Sequence, residues 1–479
     1  MQTRRVDVAV IGAGTAGLNA RRQAEKMGAE ALLIEGGPYG TTCARVGCMP
    51  SKLLIAAADA AHQVAGAGRF GVRVEGPVRV DGRAVLARVR RERDRFAGFA
   101  RDATEAIPEP LRLRGHARFT GPTSLEVGDH TRVEARAVVI ATGSVAVIPE
   151  GLAPPGREVL TYDNVFELET LPESVAVVGT GVIGLELGQA LHRLGVRTVF
   201  FELSRAVGPV TDPEVARHVR ETLGRELSLH LGVAVRAEPD PAGGVRVAWS
   251  GPDGAAGGEG GERFERLLVA TGRRPQLDGL DLHEAGVATG PDGVPRFDPR
   301  TMQCGDAPIF LAGDVSGDRP VLHEAAEEGR IAGANAAAWP RVRASVRRTP
   351  LVIVFSDPQI ALVGARHADL DGEAVEIGEV RYEDQGRARV MGINEGLVRI
   401  YARRDRGTLV GAELFGPRVE HTAHLLAWAM QQGLSVEAAL ASPVYHPVLE
   451  EGIQTALRDL SARLRILPPP EAMECGPGN

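Results

Sequence analysis

The sequence predicts an α/β chain: two βαβ nucleotide folds, a central stretch that completes the first of them, and a C-terminal α+β domain. Three observations carry this. A strand, a glycine triplet, a helix and an acid-ended second strand occur twice. A short apolar strand ending in Ala-Thr-Gly also occurs twice. Beyond about residue 345 the βαβ rhythm gives way to alternating strands followed by helices. At 479 residues the chain has room for about three or four domains of roughly 100–200 residues each.

The first copy opens with the apolar strand "VDVAVIGAG", which runs into Gly12, Gly14 and Gly17, then a helical stretch to about Gly28 and "AEALLIEGG" with Glu35 at the strand end. The second opens with "SVAVVGTG", runs into Gly179, Gly181 and Gly184, then a helix to Gly195 and "VRTVFFE" ending in Glu202. Each acid lies 21 positions after the second glycine of its triplet, and the copies are offset by 167. In such a unit the first glycine permits the tight turn, the second lets backbone N–H groups approach a pyrophosphate, and the third lets helix pack on strand. The helix start supplies positive potential, and the terminal carboxylate accepts hydrogen bonds from ribose hydroxyls. In a chain with 59 glycines one triplet is an ordinary turn as often as not; two in register with strand, helix and acid are not. The chain is therefore read as holding two dinucleotides.

The second echo is "AVVIATGS" with Ala141, Thr142 and Gly143, against "RLLVATGRRP" with Ala270, Thr271 and Gly272. Such strand ends suit the edge where a chain leaves or re-enters a nucleotide fold. "PIFLAGDV" ends at Gly313 and Asp314, and an acid after a buried strand beside a cofactor domain reads as a ligand contact. The Gly-rich stretch 251–261 reads as a hairpin loop between strands. Later, "TPLVIVFSDPQIALVG", "GLVRIYAR" and "GTLVGAELFG" read as antiparallel strands, with helices around 421–433 and 448–464 and a frayed Pro/Gly-rich tail.

Composition narrows the function. Hydrophobic residues at 44% and charged residues at 24% exclude a disordered chain or a coiled coil. A net charge of −7 argues against a general nucleic-acid or anionic-membrane surface. No run of eighteen apolar residues occurs, and "MQTRRVDVAVIGAG" passes from a short basic lead into a strand without a secretory apolar region, so a cytoplasmic location is expected.

Four cysteines are too few for a disulfide framework in so long a chain, but Cys43 and Cys48 are close. Pro50 suits the first turn of a helix and the Ala/Leu-rich stretch after it is helical, so the two thiols would face each other across a distorted helix start. The positive helix end lowers a thiol pKa, as disulfide exchange or a charge-transfer contact to a flavin requires. No second cysteine pair or nearby His completes a zinc site. Cys304 and Cys475 are isolated and read as non-catalytic. Lys52 stands out, because among 55 basic residues only it and Lys26 are Lys. Near the C-terminus, "HPVLEEG" places His446 before a proline and Glu451 at a helix start, so that the carboxylate can return to the imidazole and fix its tautomer.

These motifs, in this order and spacing, resemble the class I flavin-dependent pyridine nucleotide–disulfide oxidoreductases, and within them the dihydrolipoamide dehydrogenases. The resemblance covers essentially the whole chain: the first glycine fingerprint with Glu35, "GTTCARVGCMPSK", both "ATG" turns, "GTGVIGLELG", "FLAGDV", "VFSDPQIALVG" and "YHPVLEEGIQTALRDL". It implies a glutathione reductase-like architecture: an FAD domain over 1–148, an NAD domain over 149–272, a central domain over 273–345 completing the FAD site, a dimerisation domain over 346–465 and a flexible tail over 466–479. Cys43 resembles the interchange thiol and Cys48 the charge-transfer thiol. Lys52 matches the lysine near flavin N5, and Glu186 matches the carboxylate that pairs with it, without which Glu186 would be an uncompensated charge on an apolar helix face. The implied FAD contacts are Gly12, Gly14, Gly17, Glu35, Thr42, Lys52, the backbone of Ala117, Gly143 and Asp314; those to NAD are Gly179, Gly181, Gly184, Glu202 and Gly272. His446 with Glu451 is the implied base, supplied by the partner subunit. Three positions depart from the family pattern: Val448 replaces a usual Thr, "GTTC" replaces "GGTC", and His323 stands where a small residue often contacts the flavin.

The resemblance implies a homodimer that oxidises dihydrolipoamide, free or on a lipoyl-bearing protein, through the Cys43–Cys48 pair and FAD to NAD, without metal, nucleic acid or membrane. Two alternatives stay open. One is a mercuric or other disulfide reductase of the same family, towards which Cys475 points weakly; the other is a non-catalytic redox-sensing flavoprotein, which would have no use for His446 and Glu451.

Overall fold

The computed structural model describes residues 1–154, 156–251, 258–370 and 374–466. The predicted first βαβ is β1 (Gln2–Ile11), α1 (Thr15–Lys26) and β2 (Ala31–Glu35). It continues through α2 (Thr42–Arg45), α3 (Cys48–Gly66), α4 (Gly82–Glu105), β3 (Arg112–Arg114), β4 (Ala117–Gly121), β5 (Ser124–Val127) and β6 (Thr131–Ile140). The sheet order is β3-β2-β1-β6-β5-β4, parallel from β3 to β6 and antiparallel beyond. Val8, Ala9, Val10 and Ile11 are buried in succession, as a parallel strand covered on both faces requires.

The second unit holds β7 (Ser144–Ala146), β8 (Val159–Leu160), β9 (Ser174–Val178), α5 (Val182–Arg193), β10 (Arg197–Glu202), α6 (Pro213–Leu223) and β11 (Ser228–Leu231). A meander follows, β12 (Ala234–Pro239), β13 (Val245–Ser250) and β14 (Glu259–Phe264), and the unit ends with β15 (Arg266–Val269) and β16 (Arg273–Pro275). Its main sheet is wholly parallel, in the order β11-β10-β9-β15-β8. Antiparallel β7 and β16 form the two crossings between the units. Strands flank the Gly-rich stretch as expected, although β14 takes up its last residues from Glu259; residues 252–257 lie outside the described residues.

The chain then returns to the first sheet with β17 (Ile309–Leu311) on β6 and α7 (Leu322–Ala338) against α1. The C-terminal unit comprises β18 (Leu351–Val354), β19 (Gln359–Gly364), β20 (Val375–Arg381), α8 (Gly386–Met391), β21 (Leu397–Arg403), β22 (Leu409–Gly416), α9 (Val419–Gln431), α10 (Val436–Leu440) and α11 (Glu451–Leu464). Its sheet is antiparallel, in the order β18-β19-β22-β21-β20. β20, α8 and α10 were not anticipated. Gly378 disguises β20: it reads as a turn, but it is a close contact, since a Cβ there would lie 2.2 Å from the Ala456 carbonyl oxygen on α11. Cys475 and the rest of the tail beyond Ile466 lie outside the described residues. No helix among the described residues is long and apolar enough to cross a membrane.

Register decides what reaches the surface. Ile11 of β1 pairs with Ile34 of β2 and Ile140 of β6, and Leu311 of β17 also pairs with Ile140. The residues that follow these paired positions, Gly12, Glu35 and Ala141, with Gly313 two places after Leu311, therefore emerge at one carboxyl edge, where ligands of open α/β sheets bind. In the second unit Val178 pairs with Phe201 and Val269, which brings Gly179, Glu202 and Ala270 to the corresponding edge.

Two fully buried carboxylates join the second unit to the C-terminal one. Asp212 caps α6 and also receives Arg399 Nη1 at 2.7 Å and the Tyr401 hydroxyl at 2.9 Å. Glu413 accepts the N–H groups of Thr211 at 2.7 Å and His367 at 2.9 Å. Replacing Asp212 by Ala would uncap α6, leave the buried Tyr401 hydroxyl without its acceptor and remove the nearer of the two carboxylates beside Arg399, which keeps Glu379 at 3.5 Å. A loss of about 2–4 kcal/mol is expected, read as a lower urea midpoint. Arg217→Ala, which removes only exposed pairs to Glu214 and Glu221, should shift stability by less than about 1 kcal/mol.

Candidate nucleotide and disulfide redox sites

The two glycine turns have the same geometry. Gly12 has φ +110° and Gly179 φ +102°, and a Cβ at either would lie 2.3 or 2.4 Å from the carbonyl oxygen of Ala141 or Ala270. The second echo is thereby explained: each Ala-Thr-Gly segment is the floor on which a glycine turn rests. A Cβ on Gly17 or Gly184 would collide at 1.9 Å with the carbonyl oxygen of Gly12 or Gly179, whereas one on Gly14 or Gly181 would meet nothing within 4 Å. The open space therefore lies at the second glycine of each triplet. There α1 and α5 begin on Gly14 and Gly181 without side-chain caps, leaving backbone N–H groups for an anion.

Glu35 accepts the N–H groups of Ala13 at 2.7 Å and Gly37 at 2.6 Å; Glu202 accepts those of Thr180 at 3.0 Å and Ser204 at 2.9 Å. Each carboxylate is fixed by its own turn; Glu35 keeps lone pairs for a ribose, whereas Glu202 also accepts from the hydroxyls of Thr180 at 3.1 Å and Ser204 at 2.9 Å, which a ribose hydroxyl would have to displace. Ala117 opens β4 beside this first site, since the Gly115 N–H donates to the Glu35 carbonyl oxygen at 3.0 Å. The residues present thus suit two dinucleotides, an FAD and an NAD.

Asp314 has partners that sequence reasoning missed. Arg273 Nη1 lies 2.7 Å from its Oδ2, and the Ser144 hydroxyl donates to the same oxygen at 3.1 Å. The Arg273 guanidinium lies over the Tyr162 ring, 4.9 Å from its centroid. Arg273 and Ser144 belong to the paired crossings β16 and β7, so the link between the two units also neutralises the acid at the first sheet's edge. The signal was present in "ATGRRP" and "ATGS", as a polar residue directly after each repeat.

Cys43 lies on α2 and Cys48 is the first residue of α3, with the helical path broken at Val46–Gly47, as the spacing predicted. Thr41, where the family pattern has glycine, has φ +55°, a strained backbone for a β-branched residue. Its hydroxyl offsets part of that strain by capping α2 at the Ala44 N–H, 3.3 Å away. Thr42, the first residue of α2, is exposed.

The thiols are unequal. A hydrogen bond from Cys43 holds the thiol of Cys48, an exposed residue, down at about 7, against partial desolvation and the Glu186 charge and with help from the Lys52 ammonium. The same bond, with burial, pushes Cys43 far up. Lys52 Nζ lies 2.6 Å from Glu186 Oε2, the expected pair, on a carboxylate whose residue is 4% exposed. Cys304 is buried and its thiol is pushed up to about 12 by burial alone. Among the described residues no cluster could hold a metal ion.

His446 Nδ1 lies 2.8 Å from Glu451 Oε1; because a carboxylate only accepts, Nδ1 carries the proton and Nε2 is left to accept one. The second oxygen, Oε2, takes the N–H of Val448 at 2.9 Å, so the Val departure leaves this hydrogen bond intact. The imidazole is exposed, and among the described residues no hydrogen bond or ion pair joins it to either cysteine of its own chain. His323 sits in the first turn of α7 on an exposed position, its imidazole pushed down by partial desolvation.

In the reduced protein one thiolate should appear as pH rises through about 7, well below the range of an ordinary cysteine. Ultraviolet thiolate absorbance would follow it. Cys48→Ser should abolish this step and Lys52→Met should move it upward, and a single step in the ordinary thiol range would refute the assignment.

Comparison with known proteins agrees with this geometry. A family profile described as pyridine nucleotide-disulphide oxidoreductase matches residues 6–330, and its dimerisation domain matches residues 350–457. A dihydrolipoyl dehydrogenase of Haloferax volcanii is 31% identical over 94% of this chain and 95% of its own, and one of Thermus scotoductus is 30% identical over 95% and 97%. A mercuric reductase of Streptomyces lividans is 30% identical over 92% and 93%. Among solved structures, LpdA from Mycobacterium tuberculosis superposes with a TM-score of 0.81 at 25% identity, covering 95% of this chain and 99% of that one. The HOCl-induced flavoprotein disulfide reductase RclA from Escherichia coli shares the fold, with a TM-score of 0.77 at 21% identity over 95% and 99%. FAD and NAD(P) are the cofactors of the family, FAD and NAD those of its dihydrolipoyl dehydrogenases. With two nucleotide turns of one geometry, an unequal thiol pair on a broken helix start and a matching C-terminal domain, the chain belongs to the pyridine nucleotide-disulphide oxidoreductases.

Proposed function

We propose that the protein is a homodimeric dihydrolipoyl dehydrogenase that oxidises dihydrolipoamide, free or on a lipoyl-bearing protein, with NAD as acceptor. The observation that carries this reading is the His446–Glu451 pair in a chain that also keeps both redox thiols, because a dithiol substrate has protons to lose and a sensor does not. Glu451 fixes the tautomer, and His446 Nε2 takes a proton from the first substrate thiol. The thiolate attacks Cys43 Sγ of the Cys43–Cys48 disulfide, forming a mixed disulfide and releasing Cys48 as the thiolate that its surroundings favour. The second substrate thiol, deprotonated in turn, attacks the substrate sulfur, releasing Cys43 and the cyclic disulfide. The first glycine turn, Glu35 and Asp314 would hold FAD, which would supply the two-electron transfer between the dithiol and NAD. Lys52 would lie beside the flavin, with Glu186 balancing its charge.

The 30% identity to a mercuric reductase supports a second reading, reduction of a metal ion or disulfide at the expense of a reduced nucleotide. Steady-state turnover separates them: dihydrolipoamide with NAD should be used efficiently, and mercuric ion with NADPH poorly. The reverse ranking would overturn the proposal.

In the proposed dimer each active site takes its cysteines from one chain and His446 with Glu451 from the other. His446→Gln should lower dithiol oxidation about 10²–10⁴-fold while sparing FAD content. A mixed dimer of one Cys43→Ser chain and one His446→Gln chain should regain about half the activity, because one of its sites then carries both defects and the other neither; an inactive mixed dimer would place His446 with its own chain's cysteines. NAD should outcompete NADP in kcat/KM, since a 2′-phosphate about 4 Å from Glu202 meets repulsion of up to about 4 kcal/mol at an effective dielectric near 20. A preference for NADP would contradict this.

A further inference from the structure

The amine of Lys52 touches more than its carboxylate. It lies 4.5 Å from the centroid of the Phe355 ring, and the N–H of Phe355 donates to the second oxygen of Glu186 at 3.0 Å. Phe355 directly follows β18 in the C-terminal unit, far in sequence from both nucleotide turns. One face of α5 fixes it there. Gln189 accepts the Asp357 N–H at 2.8 Å and donates to the Asp357 carbonyl oxygen at 2.8 Å, while Arg193 reaches Asp357 Oδ2 at 2.7 Å. Glu186, Gln189 and Arg193 follow at i, i+3 and i+7, so a single helical stripe holds the 355–357 turn against the redox helix.

We propose that Phe355 is a positioning residue of the redox site, its ring holding the Lys52 ammonium within reach of Cys48 while its N–H occupies the oxygen of Glu186 that would otherwise draw the amine away. Two opposite charges compete at Cys48. Lys52 favours its thiolate and Glu186 opposes it, with the Cys43 thiol as the remaining partner. The balance therefore depends on where between carboxylate and thiol the amine rests. An aromatic face attracts the amine from a side the carboxylate does not occupy. The Lys52 side chain is half-buried, 33% exposed, so water has only partial access to the amine.

The proposal rests on the reading of Cys48 as the flavin-side thiol, and the test keeps the two apart. In the two-electron-reduced holoenzyme, the long-wavelength thiolate-to-flavin absorption is titrated with pH. Phe355→Leu, which keeps the N–H and an apolar side chain but loses the ring, should raise the midpoint by about half a pH unit. Phe355→Met should do the same and serves if the Leu variant folds poorly. Phe355→Tyr should titrate as the wild type does. Lys52→Met should raise the midpoint further, and Phe355→Leu should add nothing in that background, because a residue acting through Lys52 has no effect once the amine is gone. An unchanged midpoint in the Leu and Met variants, a Tyr variant shifted like Leu, or additivity with Lys52→Met would overturn the proposal while leaving dithiol turnover in place. Absence of the band in the wild-type enzyme would instead sink the reading of Cys48, and this proposal with it.

Discussion

Glu186 is 4% exposed, and a carboxylate so placed must be paired if it is to stay ionised, since an uncompensated buried charge costs several kcal/mol. Its partners come from elsewhere in the chain. The ammonium belongs to α3 in the first nucleotide unit and the N–H to the turn after β18, while the carboxylate itself stands on α5 of the second unit. No single unit therefore completes the pair. The helix that begins with Cys48 is thereby tied to both other units at one point, and the same point holds the two charges that act on that thiol alongside Cys43.

Around this junction the rest is repetition. Each nucleotide turn solves the same steric problem in the same way, a glycine resting on an alanine carbonyl oxygen with a second glycine facing empty space. The solution recurs because it is local: strand, turn and helix start lie within a few residues, and only the Ala-Thr-Gly floor comes from afar. Sheet register then does the remaining work, since parallel strands that end together present their following residues together. Asp314 reaches the first site by that route alone, carried to the edge by a strand that joins the sheet after the entire second unit.

Legibility in the sequence followed the same division. Glycine fingerprints, the cysteine loop and the His-Pro segment are dense local patterns, and the fold class could be read from the first of these with the change in periodicity near residue 345. Contacts made across units left fainter traces. Arg273 carried nothing beyond its place after a repeat, and Phe355 looked like the last apolar residue of a strand. β20 was hidden because a glycine chosen for closeness to α11 looks, in sequence, like one chosen for a turn. Thr41 shows the converse: the sequence exposed a departure from the family pattern, but only the backbone torsion showed that a strained residue sits immediately before the redox helices.

The near-absence of lysine has a consequence of its own. With Lys26 and Lys52 as the only lysines, amine chemistry on this protein is almost silent. Lys26 is exposed at the end of α1, whereas Lys52 is held between a carboxylate and an aromatic ring. Reductive methylation would therefore place isotopic methyl reporters on very few sites, one of them at a charge that favours the thiolate. In most enzymes of this size such a signal would be lost among many surface lysines; here the composition itself makes the paired, half-buried ammonium individually visible.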